Sequence, residues 1–342
     1  MSGYPASPVC SDSSSACTMD EISDIVAVMQ LQETTVYRRR DYLNIGSCSK
    51  VVDATWRQRI VEWMFGVVDH CSLRRDSVAI AAYYLDLCVE RGVVASRVEF
   101  QLAAMTALQL AIKMYDSTVV KLDSMIKLGR GLFTEHDVIN METKMLTALT
   151  WNVHPPTPIC FLRQYLRMLP PCVTPLSRYV IAEVTRFIAE ISVCLYKFVD
   201  CPSSIIAYSG MMIAMEKIDS NTLPEWQRQQ IFETMSAAAN LDYQSPSVVD
   251  VTDRLKVSLE KNVSLQCLMK TIDAQCRAEG YFQMTNSKSN SMDTSQTSMT
   301  SVVDSYSSHE TATMLPKKVA MNMNSPRDVF VAAPVSTVQQ KR

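Results

Sequence analysis

Glycine is scarce: eight residues in a chain of 342. That is few for the tight turns of a many-stranded fold, and strand-like alternation of apolar and polar residues is equally rare. Both shortages point to an all-α protein. Long hydrophobic runs are missing too. Lys, Glu or Ser interrupts every apolar stretch well before the roughly 18 residues a membrane span needs, so no transmembrane helix and no membrane partner are expected. The first residues, MSGYPASPVCSDSSSACT, lack the basic and apolar segments of a signal peptide. A cationic excess is absent as well: 33 Lys and Arg face 35 Asp and Glu, for a net charge of −2 and a pI near 6.1. Phosphate neutralisation has no reserve of charge, so direct nucleic-acid binding is not expected. The eleven cysteines are odd in number and form no CxxC pair. Cys71, Cys88 and Cys194 fall on apolar helix faces, which suits reduced thiols and a nuclear or cytoplasmic setting. His70, His136, His154 and His309 are scattered, and no P-loop, Rossmann or HExxH pattern occurs. No catalytic residue, cofactor or metal site is therefore expected.

Present instead is apolar patterning at helical spacing, with 47% of residues hydrophobic. That is enough for two domains of ordinary size plus tails. Residues 1–20 are rich in Ser, Asp and Pro and read as a disordered tail. Residues 20–37 set Ile22, Ile25, Val28, Met29 and Leu31 on one stripe, the mark of an amphipathic helix packing on its own domain. Asp53 is a plausible N-cap for a helix carrying Trp56, Ile60, Trp63, Met64, Val67 and Val68. A second helix over about 76–91 stops at Gly92. Residues 98–115, VEFQLAAMTALQLAIKMY, are apolar on nearly every face, as in a helix packed on several sides. A short helix follows near 121–128. Another opens at Thr134 with Asp137 three residues on, a capping box, and stops at Trp151-Asn152 before Pro155 and Pro156. Lys113 and Glu142 stand out as ionisable residues in apolar surroundings. Taken singly, Lys113 reads as a cation at a helix C-terminus and Glu142 as a solvated charge.

The pattern then restarts. Helices are expected near 159–169, 176–195, 202–217, 223–241 and 247–279, with Pro202 in a first helical turn. Small residues Ser203, Ser204, Ala207 and Gly210 line the third of these. Beyond Tyr281, residues 285–313 are about half Ser and Thr and cannot bury enough apolar surface to fold. The expected organisation is a tail (1–20), a helix and lead-in (21–52), a first domain (53–155), a second (156–280) and a disordered Ser/Thr-rich tail (281–342).

Five residues carry a resemblance. Arg57 in WRQRIVEW, Asp86 in AYYLDLC, Leu102 in FQLAA, Lys113 in LAIKMY and Glu142 in NMETKML fill the marked positions of an N-terminal cyclin box. The chain resembles the cyclins, which implies two tandem five-helix cyclin-box domains, the second more divergent. It also implies a non-catalytic regulatory subunit whose partner is a cyclin-dependent kinase. On that resemblance Lys113 and Glu142 hydrogen-bond kinase main-chain groups, while Ile112, Met114, Leu146, Leu149, Trp151 and Val153 supply apolar contact. Met114 and Tyr115 depart from the aromatic-acidic pair common after this Lys. Arg57 and Asp86 form an internal ion pair between the first two helices. A face docking RxL substrate peptides would use Trp56, Ile60, Trp63 and Gln101, but Arg59 replaces an aliphatic residue there and Gly66 an acid.

The lead-in ETTVYRRRDYL resembles that of D-type cyclins and, more closely, of diatom cyclins, although the LxCxE segment is absent. With the degradable-looking tail it favours cell-cycle control near the G1/S transition. Arg38, Arg39 and Arg40 read best as a solvated face, with a localisation signal or an acidic-partner site as alternatives. Kinase substrates and ubiquitin-ligase machinery are further partners the resemblance allows; Ser325-Pro326 is a minimal proline-directed phosphorylation site, and Arg40–Leu43 has the RxxL core of a destruction box without the Asn that usually follows. A transcriptional cyclin is the competing reading. A TFIIB-type DNA-binding fold would need a zinc ribbon and basic domains that this sequence lacks.

Overall fold

The computed structural model describes residues 17–45, 52–116, 120–129, 131–260 and 262–278. Both expected tails, apart from a few residues, and the site Ser325-Pro326 lie outside them. Among the described residues there are thirteen α-helices and no strand. They build two hydrophobic cores.

The first core is made by α3 (Ala54–His70), α4 (Asp76–Glu90), α5 (Arg97–Tyr115), α6 (Leu122–Leu128) and α7 (Glu135–Ala148). Asp53 caps α3 by accepting from the Trp56 amide at 2.7 Å. α5 is the axle: Phe100, Ala103, Met105, Ala107, Leu108 and Ala111 point in all directions around it, and all are fully buried. It packs mainly between α4 and α7. α7 begins with the Thr134/Asp137 capping box. The amide and hydroxyl of Thr134 hold the Asp137 carboxyl below the ordinary aspartate range. α4 ends at Gly92, whose φ of +69° is a conformation that disfavours side chains.

The second core repeats the plan with α8 (Pro158–Met168), α9 (Pro175–Cys194), α10 (Ser203–Glu216), α11 (Glu225–Ala239) and α12 (Pro246–Leu259), followed by α13 (Val263–Ala278). α10 is its axle, against α9, α12 and α8. Gly210 sits where a Cβ would lie 3.0 Å from Thr185 Cγ2, so glycine permits the close approach of α10 to α9. Two arginines seal helix ends here. Arg178, in the first turn of α9, donates to the carbonyls of Leu166, Leu169, Pro170 and Val173. Arg228 does the same from α11 for Met215, Ile218 and Leu223. Each satisfies carbonyls that a helix C-terminus leaves without an intrahelical partner.

Three expectations need correction. The stretch 247–279 is two helices, and the Asn262 side chain caps the second by accepting from the Ser264 and Leu265 amides. The sequence holds that start signal in Asn262-Val263-Ser264, beneath an uninterrupted apolar rhythm. Pro202 stands just outside α10, at its N-cap. The helix α1 (Met19–Thr34) packs on the second core, not the box that follows it in sequence. Ile22 and Val26 are buried there, Ser23 and Gln30 donate to the carbonyls of Ala238 and Ala239, and Glu33 accepts from the amide and hydroxyl of Ser204. A short helix α2 (Tyr42–Ile45) completes the set.

Candidate functional site

Lys113 ends the buried run of α5 and Glu142 lies mid-way along α7, so the packing of these two helices brings them together. Lys113 Nζ donates to Glu142 Oε1 at 2.7 Å, with the side chains 52% and 22% exposed. One Glu142 oxygen and two Lys113 protons remain for other partners. The pair sits among uncovered apolar groups. Met114 is exposed beside Lys113, and Ile139 lies one turn before Glu142 on α7, also exposed. Leu146, one turn after, is partly buried. Trp151 is 72% exposed. It is held outward by two consecutive left-handed residues, Thr150 (φ +49°) and Trp151 (φ +61°). A β-branched and an aromatic residue in that region are strained. The turn is closed by the Trp151 amide on the Leu146 carbonyl. Val153 is fixed beyond it, its carbonyl accepting from the hydroxyls of Tyr84 and Tyr115. Burial raises the pKa of both phenols.

Not every candidate is on this face. Ile112 and Leu149 are core residues, exposed by 2% and 1%, and present no contact area. They were indistinguishable by spacing from their neighbours because α5 is apolar all round and Leu149 turns inward at the cap. Ile139 was missed; its position three residues before Glu142 was the available signal.

The expected docking face is closed. Ile60, Trp63 and Gln101 are buried, and Trp56 is half-covered beneath the Arg97 guanidinium, 5.5 Å from its ring. A helix whose apolar side faces its own core has no such side left for a peptide.

Arg57 and Asp86 form a two-pronged pair, Nε to Oδ1 and Nη2 to Oδ2, both at 2.7 Å. Neither side chain exceeds 5% exposure. The pair reaches beyond α3 and α4: Arg57 Nη1 also donates to the Val193 and Cys194 carbonyls at the end of α9. The Tyr42 hydroxyl donates to Asp86 Oδ1. Despite burial, the carboxylate raises the pKa of Arg57 above the ordinary arginine value. The group is a joint between the two cores.

Residues 24–154 match the N-terminal domain model of the cyclins and residues 156–263 the C-terminal domain model. The chain belongs to the cyclin family. Its members are non-catalytic regulators of kinases. Among known cyclins, Cyclin-A1-4 of Oryza sativa subsp. japonica is 24% identical over 192 residues, 56% of this chain and 52% of that one. G2/mitotic-specific cyclin-2 of Medicago sativa is 24% identical over 210 residues, 60% of each chain. The matched stretch spans about half the length of several such relatives. In structure, this cyclin is similar to a viral cyclin from herpesvirus saimiri, with a TM-score of 0.52 at 15% identity over 69% of this chain and 96% of that one.

Two further features of the cyclin bear on function. No helix among the described residues is long and apolar enough to cross a membrane. A cavity of about 760 Å³ opens between the two boxes, lined by Arg38, Arg39 and Arg40 of the lead-in and by residues 198–203. Arg39, expected on a solvated face, is instead turned inward and partly buried, donating through Nη2 to the Cys201 carbonyl and the Ser203 hydroxyl. The connection from α1 to α2 runs between the boxes, with Tyr37 against Tyr83 of the first and Arg39 on Cys201 and Ser203 of the second, which no local pattern announces.

Proposed function

We propose that this cyclin binds and activates a cyclin-dependent serine/threonine kinase through the face centred on Lys113 and Glu142. The observation that carries the reading is the 2.7 Å Lys113–Glu142 contact between α5 and α7, ringed by Met114, Ile139, Leu146, Trp151 and Val153. An exposed ion pair contributes little to folding, about 0–1 kcal/mol, so its apolar setting is better explained by a partner. The pair holds both side chains ready, with spare donors on Lys113 and spare acceptor capacity on Glu142 for main-chain groups of the kinase. An outer stripe on α1, Ile25, Val28 and Leu31, is also exposed and extends the apolar surface available to the kinase.

The output is a population shift. Kinase catalysis requires the ion pair between the β3 Lys and the αC Glu of the kinase, and a regulator that binds the paired state better raises its population. The cyclin supplies contact and no chemistry. We place it in cell-cycle control, near the G1/S transition, on the strength of the lead-in ETTVYRRRDYL. Direct contact of Lys113 and Glu142 with the kinase is tested by Lys113→Ala and Glu142→Ala. Each leaves partner groups unpaired inside a desolvated contact, for a loss of about 2–5 kcal/mol and more than tenfold in Kd. Circular dichroism is expected to be unchanged. Wild-type affinity in both variants refutes the face. Purification of the cyclin from synchronised cells identifies the kinase, and a polymerase-directed kinase in its place refutes the cell-cycle assignment.

A further inference from the structure

The two strained residues that turn Trp151 outward need support on both sides. Thr150 (φ +49°) and Trp151 (φ +61°) lie in the left-handed region, which a β-branched or aromatic residue keeps only where its surroundings over-determine it. On the helix side that support is main chain: the Trp151 amide donates to the Leu146 carbonyl at 3.1 Å and the Asn152 amide to the Leu149 carbonyl at 2.9 Å. On the other side the chain runs into Pro155 and Pro156, which have no amide to donate. Side chains from distant segments hold this stretch instead.

Tyr115 is the centre of that hold. Its hydroxyl donates to the Val153 carbonyl at 2.9 Å and lies 2.6 Å from His154 Nδ1. The two rings meet edge to face, with centroids 5.3 Å apart. A phenol has one proton. With that proton on Val153, the His154 ring carries its own on Nδ1 and donates it to the Tyr115 oxygen. The hydroxyl of buried Tyr84 occupies the second lone pair of the Val153 carbonyl, and the Tyr37 hydroxyl accepts from the His154 amide at 3.3 Å. Tyr84 thus holds Val153 and Tyr37 holds His154, whereas Tyr115 bonds both. It closes α5 two residues after Lys113. Lys113 and Met114 are exposed there, but Tyr115 is half-buried and turns its polar atom to the protein's own chain.

We propose that Tyr115 is a positioning residue for the kinase contact, locking residues 151–154 in the arrangement that presents Trp151 and Val153 beside the Lys113–Glu142 pair. The inference rests on the kinase-binding face proposed above and adds how that face is kept in shape. Trp151 becomes a preformed anchor: its backbone is ordered before the kinase arrives, so binding does not have to order it, and affinity rises accordingly.

Tyr115→Phe in the full chain removes the hydroxyl and keeps the ring. Tyr84 still holds Val153, so the helical circular dichroism is expected to be unchanged. Affinity for the kinase that co-purifies with the parent chain is expected to fall about three- to tenfold. Because the effect passes through Trp151, the same substitution is expected to cost less than about twofold in Trp151→Ala, where the anchor is gone, and its full effect in Glu142→Ala. A residue that only stabilised the fold would cost the same in both backgrounds. The free chain, labelled at its histidine rings, gives a second readout by proton–nitrogen correlation spectroscopy. His154 is expected to show the Nδ1–H tautomer in the parent and to lose it in Tyr115→Phe. Undiminished kinase affinity in Tyr115→Phe, equal losses in the two backgrounds, or an unchanged His154 signal overturns the assignment. Failure of the kinase face itself reads differently: Lys113→Ala, Glu142→Ala and Trp151→Ala then all bind the kinase as the parent does.

Discussion

Replacing Asp86 with Ala removes the carboxylate from the joint between the boxes and leaves the Arg57 guanidinium buried without its counter-charge. Two 2.7 Å charge-assisted bonds are lost together, and the Tyr42 hydroxyl loses its acceptor. The carbonyls of Val193 and Cys194 still bind Arg57 but carry no full charge. Breaking a buried pair from one side costs about 3–5 kcal/mol. For a folded unit of this size each kcal/mol moves the melting temperature by about 2–4 °C, so the variant is expected to melt roughly 6–20 °C below the parent. The assay is circular dichroism on the purified chain, read at the helical signal. Asp86→Asn keeps the volume but sets an amide against the guanidinium, and is expected to lose most of the same stability. Arg57→Met with Asp86→Leu removes both charges, and recovery of a large part of the loss is expected. A melting temperature within about 2 °C of the parent for Asp86→Ala would show that the pair contributes nothing net to folding, against the reasoning above.

Three other outcomes follow from the described geometry. Arg228→Ala strips the donors from the Met215, Ile218 and Leu223 carbonyls and is expected to lower unfolding free energy by at least about 2 kcal/mol in urea; Arg228→Lys, lacking the fork, is expected to restore less than half of it. Glu183 is buried on α9, and burial raises its pKa more than Arg186, at 2.9 Å, lowers it. The folded state therefore favours the protonated acid, and the resulting stability is complete below the ordinary glutamate range and lost as pH rises through the raised value. Glu183→Gln is accordingly expected to raise the melting temperature at pH 7.5 and to leave it unchanged at pH 4; a drop at pH 7.5 contradicts the assignment. Burial pushes the Cys88 thiol up to about 12 and raises that of Cys194, while Cys71 and Cys267 are exposed. Native alkylation at pH 8, read by mass spectrometry, is expected to label the latter two and spare the former.

Local signals in the sequence were the dependable ones. Asp53 and the Thr134/Asp137 box each act within three residues, so the starts of α3 and α7 could be read directly. The all-round apolar stretch 98–115 had to be a central helix, since no single-sided helix carries that pattern. Contacts between distant segments left no comparable trace. Nothing near Ile22 distinguishes a helix packing on the first box from one packing on the second. Nothing near Arg57 announces the carbonyls of Val193 and Cys194, more than 130 residues on. The partition of Ile112 and Leu149 to the core and of Ile139 to the surface depends on how α7 is rotated against α5, which periodicity leaves open. The arginines that seal helix ends, Arg178 and Arg228, carry no mark in the sequence, because their acceptors are backbone carbonyls with no residue identity.

The placement of α1 has a consequence for how the chain is made. α1 leaves the ribosome before the other described helices, yet the groups it binds belong to α8, α10 and α11. Ser23 and its acceptor on Ala238 are separated by 215 residues. At about 5–20 residues per second, synthesis of that interval takes roughly 10–40 s. Through all of it, the core that Ile22 and Val26 enter is incomplete. The second box builds largely from neighbours in sequence, with Arg178 and Arg228 each clamping the helix just before its own. α1 thus completes its docking only after α11, and the nascent cyclin presents both of its apolar stripes, Ile22–Val26 and Ile25–Leu31, until then. A chaperone that binds amphipathic helices, or a kinase arriving during translation, meets that segment before the chain itself can cover it.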